Sequence, residues 1–182
     1  DMSSERALQR FRHERQVLSA LSHANIAQLF GGGSTSDGVP YLVMEYIEGQ
    51  SITSYCRERR LSVKGRLELF LGVCEAVSYA HRNLVVHRDI KPGNILVSAE
   101  GVPKLLHFGI SKLKTTSPSE ELTTTGALLG TPAYMSPEQA AGSKNLDARS
   151  DQYSLGVLLY QCVTGKRPFE ADSMYKILHR IV

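Results

Sequence analysis

The chain has 182 residues, 42% of them hydrophobic and 21% charged, with a formal net charge of +3. This is ordinary for a globular protein and long enough for one core, and no run approaches the roughly 18 apolar residues of a membrane span. So small a charge, with no basic stripe interleaved with aromatics, gives no case for nucleic acid as a partner.

The stretch from Asp1 to Arg15 is polar and lacks the hydrophobic core of a signal peptide. Cys56, Cys74 and Cys162 are odd in number, widely spaced and form no CxxC pair. They read as buried free thiols in a reducing compartment. The expected location is the cytoplasm, or the cytoplasmic side of a membrane in a longer parent protein.

In chain order, Ser3 and Ser4 are candidate N-caps of a helix reaching about Ala20. Its apolar stripe reads Ala7, Leu8, Phe11, Leu18 and Leu21. Glu14 falls on that stripe, where a carboxylate is costly unless paired, so it asks for a cation or lies at the stripe's edge. Two strands follow, Ile26–Phe30 and Tyr41–Ile47, with Gly31-Gly32-Gly33 read as part of the connecting loop. No Gly-Lys-Ser/Thr or GxGxxG accompanies the triplet, so it is not read as a phosphate loop. Glu48-Gly49-Gln50 reads as a linker. An amphipathic helix is predicted over Ser62 to Arg82, and a buried one, apolar on nearly every side, over Ser150 to Thr164, with Gly165 placed to end it. Between them lie short strand-like pieces at Leu84–Val86, Ile95–Val97 and Lys104–Leu106, then a Ser/Thr-rich loop from Lys112 to Leu129.

One run carries the chemistry: His87-Arg88-Asp89-Ile90-Lys91-Pro92-Gly93-Asn94. His107-Phe108-Gly109 follows, His107 standing 18 positions after Asp89, and then Gly130-Thr131-Pro132 and Ser136-Pro137-Glu138. With Leu42-Val43-Met44-Glu45-Tyr46-Ile47-Glu48-Gly49 ahead of them, these motifs resemble, in order and spacing, those of eukaryotic-type serine/threonine protein kinases of bacteria.

The resemblance implies an α+β, two-lobed kinase fold, with a partial small lobe over residues 1–48 and a mostly helical large lobe over 49–182. It implies ATP and Mg2+ as cofactors and a protein bearing Ser or Thr as substrate. Asp89 would accept or orient the proton of the substrate hydroxyl, and Lys91 would neutralise charge on the moving phosphate. Asn94 would offer an amide oxygen to magnesium. Thr131 would bond the Asp89–Lys91 pair, which with Lys91 points to the serine/threonine branch. Adenine would be held by backbone groups of Glu45 and Ile47, with Met44 behind it and Leu96 beneath the ring. Glu14 would pair with a nucleotide-holding lysine, and Leu18, His87 and Phe108 would stack as an apolar spine. Thr123, Thr124 and Thr125 lie where related kinases phosphorylate themselves.

Three departures qualify this expectation. No glycine-rich loop or strand lysine is seen ahead of the Glu14 helix, and the chain stops at Val182, so it reads as a fragment. Glu138 is expected to lack its arginine partner. The third departure is His107, which stands where the family carries an aspartate for the metal. Neutral imidazole suits zinc, nickel or copper better than magnesium, and protonated imidazole has no lone pair to give. Loss of a metal clamp of several kcal/mol costs about three orders of magnitude in rate. The reading is thus a kinase impaired at His107, and the alternative is a pseudokinase that binds partners without catalysis.

Overall fold

The computed structural model describes residue 16 and residues 18–37, 39–106, 132–143 and 145–182. Two small sheets come first. Strand β1 (Leu29–Ser34) pairs antiparallel with β2 (Pro40–Met44), in a register that sets Gly32 against Leu42 and Gly33 against Tyr41. The glycine triplet therefore lies in a strand, not in the connecting loop. A Cβ on Gly33 would stand 2.9 Å from the Tyr41 hydroxyl, a contact that this exposed side chain can relieve by moving aside. The register slips between Leu29 and Gly31, a bulge of the kind glycine-rich strands allow.

The second sheet has the order β3-β4-β5, all antiparallel: β3 (Gly49–Ser51), β4 (Ile95–Ser98) and β5 (Pro103–Leu105). The expected linker at Glu48-Gly49-Gln50 thus forms part of a strand. A Cβ on Gly49 would meet the Val97 carbonyl oxygen at 2.4 Å, so the close approach of β4 demands glycine there. Leu84–Val86 is not a strand. Leu84 takes a left-handed turn (φ 60°) that ends the preceding helix.

Helix α1 (Ile52–Glu58), too short to show a period in sequence, starts at Ser51, whose hydroxyl accepts the Ser54 N–H. Helix α2 (Val63–Arg82) is capped by Ser62 and buries Leu69, Phe70, Val73, Ala76, Val77 and Ala80. That spacing is the amphipathic stripe expected of it. Helix α3 (Pro137–Ala140) opens with a capping box between Ser136 and Gln139.

Helix α4 (Ala148–Thr164) ends at Gly165, left-handed at φ 76° as the sequence predicts. It is not buried by apolar residues alone: Ser150, Asp151 and Ser154 are buried with Val157, Leu158 and Cys162, whereas Tyr160 is exposed. Helix α5 (Met174–Ile181) closes the chain.

The main core joins α1, α2, α4 and the second sheet through Ile52, Val73, Ala76, Ile95, Leu105 and Leu158. Segment 21–28 is stapled to β5: Ala27 N–H donates to the Leu105 carbonyl at 2.9 Å, and Leu105 N–H to the Asn25 carbonyl at 2.8 Å. A second core gathers Ala133, Tyr134, Val157, Ile177 and Ile181. All three cysteines are free; Cys56 and Cys162 are buried and Cys74 half-buried. Among the described residues no helix is long and apolar enough to cross a membrane.

Candidate active site

The loop between α2 and β4 is built around a buried carboxylate. Asp151, wholly buried in the first turn of α4, takes the His87 N–H on Oδ2 at 2.8 Å and the Arg88 N–H on Oδ1 at 2.7 Å. His81, in the last turn of α2, adds its Nε2 to Oδ2 at 2.8 Å. Three partners compensate the cost of burying this charge. Arg88 sits at φ 66°, a conformation that costs an L-residue on the order of 1–2 kcal/mol and is sustained here by its bonded neighbours.

His87 is buried and polar in its contacts. Its Nδ1 accepts the Asp89 N–H at 3.2 Å, and Nε2 bonds the Leu106 carbonyl at 2.8 Å. It therefore ties the loop to the end of β5 by hydrogen bonds, while its expected stacking partner Phe108 lies outside the described residues.

The turn at Arg88 delivers Asp89 beside Lys91 and Asn94. Lys91 Nζ lies 2.8 Å from Asp89 Oδ2. Asn94, at the end of a single 3-10 turn opened by Pro92, donates its Nδ2 to the same Oδ2 at 2.8 Å and to the Asp89 carbonyl at 2.7 Å. The three residues expected to act together are thus in mutual contact. Both side-chain contacts use Oδ2, and among the described residues no bond to Oδ1 of Asp89 is formed. With Nδ2 of Asn94 engaged, its remaining polar atom is the amide oxygen, a hard donor of the type magnesium takes. Among the described residues no group of three His, Cys, Asp or Glu is placed to hold a metal.

The segment expected to hold adenine leaves β2 at Met44. The Glu45 N–H is already used, donating to the Gln28 carbonyl at 2.8 Å. Its side chain forms an ion pair with Lys104, Nζ to Oε1 at 2.8 Å, and accepts the Gln28 N–H at 3.0 Å. Burial pushes the Glu45 carboxyl up, but the Lys104 bond, the Gln28 N–H and the Lys104 charge together hold it below the usual carboxylate range. Leu96 is the strand partner of Lys104, so the two side chains share a face of the sheet and Leu96 is on the side that reaches Glu45. A cavity of 500 Å³ lies against Glu45, Tyr46 and Ile47, but Met44 and Leu96 do not line it.

Glu138 has a partner from within the chain: Ser150 Oγ donates to its Oε1 at 2.5 Å. That bond holds the carboxyl below its usual range, which corrects the expectation of an unpaired acid. Glu14, His107, Phe108, Thr131 and Thr123 to Thr125 lie outside the described residues. Asp151, His81, Lys104 and Gln28 were not anticipated from the sequence. The signal for Asp151 was an acid in a helix otherwise apolar enough to be buried; for the others no local pattern exists.

Loop, hinge-like segment and small paired sheets together make a mixed α+β scaffold. The chain belongs to the protein kinase domain family, whose family model matches residues 1–182. It is 40% identical over 177 residues to the serine/threonine-protein kinase PknB of Mycobacterium tuberculosis, covering 95% of this chain and 28% of that protein. Similar matches are a probable serine/threonine-protein kinase PknB of Bifidobacterium longum, 39% identical over 96% of this chain and 26% of its own length, and the probable serine/threonine-protein kinase SCO3848 of Streptomyces coelicolor, 38% identical over 95% and 26%. The chain thus spans about a quarter of the length of these curated relatives. Its helices and small sheets are those of a partial two-lobed kinase fold.

Proposed function

We propose that this chain is the phosphoryl-transfer part of an ATP-dependent serine/threonine protein kinase. The observation that carries the reading is the Asp89 carboxylate, pinned on one oxygen by both Lys91 and Asn94. A carboxylate oriented in this way suits a substrate hydroxyl, whose proton it accepts or aligns. Lys91 sits close enough to balance charge on the transferred group. Serine and threonine hydroxyls on proteins are the substrate class, and the backbone of Glu45 and Ile47 is the adenine edge. Asn94 would hold magnesium through its amide oxygen, and the ion would neutralise phosphate charge.

His107 favours a second reading, a non-catalytic binding module, because an imidazole stands at the family's metal-binding carboxylate. The two readings part in one experiment on the full-length protein. Phosphate transfer to a generic protein substrate is measured for the natural sequence, for His107→Asp, and for His107→Asp combined with Asp89→Asn. The kinase reading expects His107→Asp to raise the rate by about two to four orders of magnitude and Asp89→Asn to remove the gain. A folded His107→Asp protein that stays inactive and indifferent to magnesium establishes the binding-module reading instead.

A further inference from the structure

Arg88 is gripped on both sides of its left-handed corner. Asp151 takes its N–H, and its carbonyl accepts a hydrogen bond from Gln139 Nε2 at 2.8 Å. The two grips come from different elements: Asp151 from the buried start of α4, Gln139 from α3. Helix α3 has only four residues and lies in the stretch that follows residues 107–131.

The orientation of the Gln139 amide is determined by chemistry. Its Oε1 accepts the Ser136 N–H at 3.0 Å, and its own N–H donates to Ser136 Oγ at 3.3 Å, completing a capping box. An N–H can only be met by the amide oxygen and a carbonyl only by the amide nitrogen, so the flipped amide would break both contacts. A capping box accepts glutamate as readily as glutamine. Glutamate would put a second acceptor against the Arg88 carbonyl, so the contact with Arg88 is what requires glutamine here.

We propose that Gln139 is a positioning residue for the Asp89 loop, holding the Arg88 corner in register so that Asp89 keeps its bonds to Lys91 and Asn94. Through it the geometry at Asp89 depends on the seating of the 132–143 segment. The proposal rests on the kinase reading for its catalytic consequence, though not for the contact itself.

The test uses Gln139→Glu and Gln139→Met in the full-length protein carrying His107→Asp. Gln139→Glu keeps the capping box, so its melting temperature should stay close to that of the parent. Amide hydrogen exchange at Arg88 and Asp89 should quicken by about tenfold in both variants, the effect of losing one ordinary hydrogen bond. In the transfer assay kcat should fall by a similar factor while KM for ATP stays unchanged, a split that general destabilisation would not give. Unchanged exchange at Arg88 and Asp89 in both variants overturns the proposal, as does a loss of kcat matched by equal destabilisation throughout the chain. If the parent transfers no phosphate, the kinase reading fails, and the exchange rates alone decide whether Gln139 positions the loop.

Discussion

The Glu45 carboxylate sits between Lys104 Nζ and the Gln28 N–H, and at neutral pH it links the hinge-like segment to β5. Its pKa lies below the ordinary value near 4.5 despite the opposing effect of burial. A depressed carboxylate adds stability above its unfolded-state pKa and loses it as pH falls through the folded-state value. Glu45→Gln should therefore lower stability by about 1 kcal/mol at pH 7, or about 3 °C in melting temperature. That gap should close as pH drops through and below the ordinary carboxylate range. Melting curves of the two proteins from pH 7 to pH 3 check this; a gap that persists unchanged into acid means the ion pair is not the cause. Sequence reading reached Asp89, Lys91 and Asn94 because the three lie within six consecutive residues, where spacing alone brings them together. It missed the Lys104–Glu45 pair, 59 positions apart, and the Asp151 contacts to His87 and Arg88, 64 and 63 apart. Such contacts are products of tertiary packing, and no period in the chain encodes them.

At the scale of elements, the long helices were legible and the short pieces were not. Helix α2 announces itself through its stripe, and α4 through Gly165. The strand around Gly31-Gly32-Gly33 was hidden because glycine signals a turn in sequence, while here the three glycines pair with Val43, Leu42 and Tyr41 of β2. Helix α4 also depends on a residue no cap rule names. Arg66, in the first turn of α2, donates Nη1 to the carbonyls of Cys162 at 2.7 Å and Val163 at 3.4 Å, and its Nε to that of Leu61 at 2.9 Å. It thus satisfies carbonyls that the end of α4 leaves without intrahelical partners. Its charge also suits the negative end of the helix. Arg66→Ala should cost about 2 kcal/mol, and Arg66→Lys should recover only part of this, because an ammonium lacks the fork that reaches two segments at once. Equilibrium denaturation of the three proteins is the measurement; full recovery by lysine would reduce the role of Arg66 to its charge.

For the molecule as a whole, α4 is the wall between two cores. Leu158 is fully buried in the larger one, and its neighbour Val157 belongs to the smaller one with Ile177 and Ile181 of α5. Adjacent residues on one helix thus face different clusters, so the helix carrying Asp151 is held from both sides. The clusters differ in what they support. The larger core contains α2, both neighbours of the Asp89 loop in sequence and the start of the second sheet, while the smaller one anchors α5 and the 3-10 turn Pro132–Tyr134. A cavity in the first should therefore loosen the entire molecule, and a cavity in the second only its end. Leu158→Ala should cost about 2–5 kcal/mol and quicken amide exchange in α2 and α4 together. Ile177→Ala, at a residue 8% exposed, should quicken exchange in α5 while the slowest amides of α2 keep their rates, since local opening need not cross the whole structure. Exchange followed by mass spectrometry on both variants separates the cases. If Ile177→Ala speeds α2 as much as α5, the two cores unfold as one unit, and the seating of residues 132–143 is coupled to the global stability of the chain.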